Sequence, residues 1–192
     1  MSNDAPNFDL DGIEVAVKTM LDAFGVNEGD HTADTPRRVA KAWREQLAGY
    51  FEDPREHLYK RFSAPDDPGL VVVSGIAMKS TCAHHLLPFT GTATVAYRPS
   101  PGQEVVGLSK LARVLQGYAR RLQVQERIGA QTVEAIRDVL TPSGAVVLIT
   151  ATHDCMRLRG VEDPEATTTT MAKTGMITDV ELQLVREAHF GR

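Results

Sequence analysis

The apolar pattern of this chain changes period at Leu70, and that change limits the fold more than any other feature of the sequence. Before it, apolar residues recur at helical spacing. Ile13, Val17, Met20, Leu21 and Phe24 predict one helix, ended by Gly25. Asp34-Thr35-Pro36 reads as a cap with proline in the first turn, after which Val39, Trp43 and Leu47 continue an apolar face to Gly49. The stretch 51–69 holds Pro54, Pro65, Pro68 and several charges and reads as a linker. From Leu70 the runs are valine-rich or alternating. Leu70 to Met78 and Thr92 to Tyr97 predict strands, with a turn at Ser100-Pro101-Gly102. Ser109 is the expected cap of a helix with apolar positions Leu111, Leu115, Tyr118 and Leu122. A second helix carries Ile128, Val133, Ile136 and Leu140 and is broken by Thr141-Pro142-Ser143-Gly144. Ala145 to Ala151 predicts a buried strand, and the β-branched run Thr167 to Met171 its partner. Asp179 to His189 closes the chain as a helix. The expected class is α+β, in the order strand, strand, helix, helix, strand, strand. That unit spans 70–192, behind a helical arm at 1–50 and the linker at 51–69.

Charge and cysteine content exclude several functions. A net charge of −4 over 192 residues leaves no general basic footprint for nucleic acid. No stretch reaches the roughly 18 apolar residues of a membrane span. Met1 to Gly12 is polar and acidic, without the order of a signal peptide, so a cytoplasmic location is expected. Two cysteines make no disulfide framework; in a reducing compartment they are buried thiols, catalytic groups or metal ligands.

The thiols stand among histidines. Thr81-Cys82-Ala83-His84-His85 puts a thiol and two imidazoles within a short segment between two predicted strands. Cys82 and His85 have the Cys-x-x-His spacing at which both reach one ion, and thiolate with imidazole is the donor set zinc prefers. The other thiol lies in His153-Asp154-Cys155, at a predicted strand end. Three protein donors leave one tetrahedral position for water, the catalytic arrangement. The alternative is two buried thiols with surface histidines. His84 and His153 are acid/base candidates, since imidazole titrates near neutrality, or histidines packed beside the site.

Two further segments bear on ligand binding. In Gly107-Leu108-Ser109-Lys110-Leu111-Ala112-Arg113, a helix start leaves backbone N–H groups free for an anion, and Lys110 and Arg113 share a side. Arg157 and Arg159 follow Cys155 closely. Together these form either a phosphate pocket or a solvated basic face. In Gln123-Val124-Gln125-Glu126-Arg127, a carboxylate suits the N–H edge of a guanine, or the segment is a polar interhelix turn.

Taken in order, these pieces resemble GTP cyclohydrolase I. The matching stretches are Ser80 to His85, Gly107 to Arg113, Gln123 to Arg127 and Ala151 to Val161, with Asp34 to Lys41 similar to the family's N-terminal segment. The resemblance runs from about Glu28 to the C-terminus. It implies the tunnelling fold, and zinc held by Cys82, His85 and Cys155. It further implies His84 and His153 as catalytic histidines, with Ser109 near the ribose. Gln125 and Glu126 would hold the guanine; Lys110, Arg113, Arg159 and, as a further candidate, Arg38 would hold the triphosphate. The family's reaction hydrolyses the imidazole ring of GTP, releases formate and rearranges the ribose to give 7,8-dihydroneopterin triphosphate, a precursor of folate and other pterins. Its members assemble as toroidal homodecamers with active sites between subunits. No nucleic-acid or membrane partner is implied. Two features depart from the family's usual pattern. Ala83 stands where glutamate is usual, and Val161 to Thr167 is shorter and more acidic than the usual run. The alternatives are a tunnelling-fold paralogue acting on a different purine nucleotide, and a non-catalytic, zinc-stabilised nucleotide-binding module.

Overall fold

The computed structural model describes residues 8–26, 29 and 31–191. Most of the N-terminal stretch whose polarity argued against a signal peptide precedes Phe8 and lies outside the described residues, as does Glu28.

The arm is a helix pair. α1 (Leu10–Phe24) starts where the Asp9 carboxylate accepts the Gly12 N–H, and it ends at Gly25. Gly25 takes φ 72°, which costs a glycine little. α2 (Thr35–Gln46) has Pro36 in its first turn, as expected. Asp34 does not cap it, however. Its carboxylate pairs with Arg37 and Arg38 at 3.4 and 3.2 Å, because two guanidiniums one turn ahead compete for it. The arm joins the body through a 3-10 turn, Ala48–Phe51, where Gly49 packs so closely that a Cβ would collide with the Gly117 carbonyl oxygen.

Part of the stretch read as a linker belongs to the core. A second 3-10 turn, Pro54–Tyr59, buries Leu58 completely. Fully burying such a side chain is worth about 1.5–3 kcal/mol, which ties this turn to the core. After it, β1 (Arg61–Phe62) pairs with β4 (Val105–Val106).

The main sheet has the order β5-β2-β3-β6-β7. Its members are β2 (Val71–Cys82), β3 (Pro88–Arg98), β5 (Leu122–Gln123), β6 (Gly144–His153) and β7 (Thr168–Gly175). All neighbours are antiparallel except β2 and β5, which run parallel. α3 (Leu108–Ala119) and α4 (Gln125–Leu140) lie between β3 and β6 in the chain, and α6 (Asp179–Phe190) follows β7. This is the expected ββααββ order of an α+β chain in the tunnelling fold, with short strands added at the edges.

β6 shows why its run is apolar from Ala145 to Ile149. Ala145, Val147, Ile149 and Ala151 face the main core with Leu111, Leu115, Ile128 and Ile136, whereas Val146 and Leu148 face a second cluster with Val185 of α6. Both faces are covered along that run, which carries no polar residue before Thr150, whose hydroxyl is hydrogen-bonded to Thr169 and His189.

Several boundaries differ from the sequence reading. α3 ends at Ala119, so Leu122, expected as its last apolar position, lies in β5, where it pairs with Thr81, and β7 runs on past Met171 to Gly175. β2 runs on past Met78 to Cys82, because Thr81 and Cys82 pair with Leu122 and Gln123 of β5. β3 begins at Pro88 and not Thr92, since its first residues pair with β2 and with the end of β6. α3 is preceded by Gly107 as its cap residue and Ser109 lies inside the first turn, because β4 delivers the chain to the helix two residues sooner than the hydroxyl suggested.

Candidate active site

Cys82 ends β2 and is buried. Its N–H donates to the Leu87 carbonyl and its own carbonyl accepts from Leu86, which closes a tight turn over Ala83–Leu86. Leu86 pays for the turn with φ 56°, a conformation uncommon for a side chain of its size. The turn carries His85 back, so that its Nδ1 lies 3.8 Å from Cys82 Sγ. β3 starts opposite Thr81, so Cys82 stands just past the end of the strand that separates β2 from β6. Across that gap comes Cys155, in the first turn of the short helix α5 (Asp154–Arg157) that follows β6 directly.

The donor atoms of Cys82, His85 and Cys155 all lie within 4.8 Å of one another. Tetrahedral zinc, with Zn–S near 2.3 Å and Zn–N near 2.0–2.1 Å, would hold its donors about 3.5–3.8 Å apart. The cluster can therefore close on such an ion with small side-chain movements. Among the described residues no fourth His, Cys, Asp or Glu atom joins this group. Burial, then the neighbouring Cys82, push the Cys155 thiol above its ordinary value, while Arg159 opposes the rise. A cation between the two sulfurs would relieve that opposition to ionisation.

Neither remaining histidine belongs to the cluster. His84 is exposed, its ring perpendicular to that of His85 with centroids 6.2 Å apart. His153 closes β6, stacked on Phe89. Its Nε2 is 2.8 Å from Oε1 of Gln125. Burial holds the His153 imidazole below its usual value, and the Glu126 carboxylate opposes that. Glu126 therefore stands close enough to His153 to act on its charge, while its own side chain is exposed in the first turn of α4.

Gln125 and Glu126 are adjacent in sequence but differently employed. Gln125 is buried, and its amide hydrogens are shared among the carbonyls of Ile149 and Thr168, each at 2.9 Å, and the Thr170 hydroxyl at 3.2 Å. No donor of its side chain is left for a base. Ala83, in the turn, is exposed and donates its N–H to the Gln123 carbonyl at 3.0 Å.

The basic residues divide into two groups. Arg159 is exposed beside the cluster, with Nη1 3.3 Å from His85 Nε2. Ser109 and Lys110 lie at the other end of the sheet. Gly107 and Leu108 line one cavity of about 460 Å³ with Val71, the first residue of β2, whereas Cys82 is its last. A strand of 12 residues at about 3.3 Å each separates the two ends by roughly 35 Å. Arg113 lies one turn further on, before Gln116, whose side chain reaches only to the Ala77 carbonyl. Among the described residues neither Lys110 nor Arg113 has an ion-pair partner. Arg38 is on the arm, held by Asp34. One chain thus brings together Cys82, His85, Cys155, His153, Glu126 and Arg159, but not Ser109 or Lys110.

Phe89 and Thr168 escaped the sequence reading. No local signal marks them; both reach the site through strand register.

The sequence model of the family described as GTP cyclohydrolase I matches residues 13–188. The chain is 48% identical over 170 residues to GTP cyclohydrolase 1 of Desulforamulus reducens, covering 88% of this chain and 90% of that protein. It is 46% identical over 169 residues to the protein of the same name from Carboxydothermus hydrogenoformans, covering 88% and 87%. Against that of Bacillus cytotoxicus the identity is 47% over 169 residues, covering 88% of each.

Proposed function

Since this chain belongs to the GTP cyclohydrolase I family, we infer that it hydrolyses the imidazole ring of GTP, releases C8 as formate and rearranges the ribose to yield 7,8-dihydroneopterin triphosphate. The observation that carries the reading is the three-donor cluster of Cys82, His85 and Cys155, with His153 and Glu126 beside it.

Cys82, His85 and Cys155 would hold zinc, and its presence would supply Lewis-acid activation of water near neutral pH. Every other task falls to side chains. The exposed Glu126 carboxylate accepts the N–H edge of guanine and so orients C8 toward the cluster. His153 transfers a proton at N7 as electron density builds on the base. His84, exposed at the turn, is the second proton-transfer candidate. Arg159 meets the triphosphate, and Lys110, Arg113 and Arg38 complete that task. Ser109 acts near the ribose. Gln125, with its amide engaged by the protein, contributes from behind His153.

The distance between the cluster and the start of α3 supports a site shared between copies. Lys110 and Ser109 of one protomer would serve the cluster of a neighbour, within a toroidal homodecamer. The catalytic unit in this reading is 70–192, with 1–50 as an arm and 51–69 joining them. Among the described residues no helix is long and apolar enough to cross a membrane. A cytoplasmic location suits a GTP-consuming enzyme.

The test is incubation of the zinc-loaded protein with GTP. Formate and a pterin that fluoresces after oxidation should appear in equal amounts. A zinc-replete protein that leaves GTP intact would reject the reading, and turnover of another purine triphosphate in its place would redirect it to that nucleotide.

A further inference from the structure

The hydrogen bond between Gln125 and His153 has a direction that its surroundings dictate. The amide nitrogen of Gln125 faces the carbonyl oxygens of Ile149 and Thr168. Both can only accept, so the side chain cannot be turned round without opposing oxygen to oxygen. Oε1 is therefore the atom presented to His153, 2.8 Å from Nε2. An amide oxygen can only accept, so Nε2 must be the ring nitrogen that carries hydrogen. Among the described residues Nδ1 has no hydrogen-bond partner. The ring plane is set independently by Phe89, 1% exposed and stacked on it.

We propose that Gln125 is a positioning residue: its Oε1 holds the Nε2–H of His153, fixes the tautomer and the in-plane angle of the ring, and leaves Nδ1 as the atom that meets the substrate. The inference rests on the reading of His153 as the proton-transfer group. It reassigns Gln125 from holding the base to orienting the histidine that serves it. The anchor is tertiary. α4 supplies Gln125, β6 supplies Ile149 and His153, and β7 supplies Thr168 and Thr170. Three elements must be docked before Oε1 can face the ring. Holding a proton-transfer group within a fraction of an ångström is worth a large part of its effect.

Solid-state ¹⁵N spectra of the zinc-loaded, histidine-labelled protein test this directly, at a pH well above the imidazole range. The His153 signals are assigned by their loss in His153→Ala. The wild type should show His153 with hydrogen on Nε2. Gln125→Met should give a mixture of tautomers, with unchanged zinc content, a kcat for formate release lower by about tenfold or more, and a KM for GTP within about threefold. A wild-type His153 with hydrogen on Nδ1 would overturn the proposal, and that measurement holds even if a variant fails to fold. So would a Gln125→Met protein with a raised KM and untouched kcat and tautomer, the result expected if Gln125 grips the base. Full turnover by His153→Ala would remove the reading beneath the inference, and the inference with it, whatever the tautomer.

Discussion

The ring of His153 lies face to face on that of Phe89, with centroids 4.6 Å apart and planes 5° from parallel. The two residues are direct partners across β3 and β6, so the stack follows from the register of the sheet and from no local motif. Phe89→Leu keeps an apolar side chain but removes the flat support. It should cost about 0.5–1.5 kcal/mol in denaturant unfolding beyond the area lost, and lower kcat more than it raises KM. Unaltered kcat in a folded variant would show that the stack does not orient the ring.

Metal content separates ligand from neighbour. Cys155→Ala should lose most of its zinc, since two donors hold the ion far less firmly than three. His153→Ala should keep its zinc and lose formate release by roughly a hundredfold or more, the contribution expected of a proton-transfer group. Both quantities are measured on one preparation. Loss of zinc from His153→Ala would mean that a ligand has been taken for an acid.

Arg159 touches His85 Nε2 through a nitrogen that can only donate. If His85 binds zinc through Nδ1, its Nε2 must carry hydrogen, and the guanidinium is released toward solvent and phosphate. Arg159→Ala should therefore raise the KM for GTP well above any effect on guanosine, with zinc content preserved. Equal effects on the two substrates would count against a role at the triphosphate.

The separation between Lys110 and Cys82 predicts complementation. Lys110→Ala and His153→Ala should each be weakly active alone. Protein refolded from a mixture of the two should regain activity above either parent, because some interfaces then pair an intact α3 with an intact His153. No gain in a mixture shown to contain mixed oligomers would place the whole site within one chain.

Glu181 offers a stability test away from the site. The backbone N–H of Thr178, then the Arg98 guanidinium at 2.6 Å, hold its carboxyl below the ordinary value of 4.5. A depressed folded value means that the unfolded chain takes up the proton more readily. The stabilisation is present above about pH 4.5 and is lost as the pH falls through the folded value. Glu181→Gln should lower the thermal midpoint near neutrality, and the difference from wild type should shrink on acidification. A difference that stays constant with pH would reject the carboxylate's role.

Much of the fold was legible because its long elements are strongly patterned. Val133, Ile136 and Leu140 announce α4 by spacing alone, and the apolar run at 145–149 announces a strand covered on both faces. The cluster was legible for a similar reason: Cys82 and His85 are joined by a turn short enough for spacing to measure. The errors lie where a distant partner decides. Thr81 and Cys82 are strand because β5 runs beside them, and Leu58 is core because α3 and α4 leave room for it.

By itself the sequence determined the order of the elements, the donor chemistry of two thiols and their histidines, and the family to which the chain belongs. These are properties of neighbours along the chain, where spacing translates into geometry through fixed helical and strand periods. Tertiary structure alone decided that Cys155 reaches Cys82 across the end of β3, that Phe89 lies under His153, and that the amide of Gln125 is consumed by β6 and β7. It also decided that Lys110 stands at the far end of β2 from Cys82. Register and docking set those distances, and both depend on apolar surface buried between segments far apart in the chain.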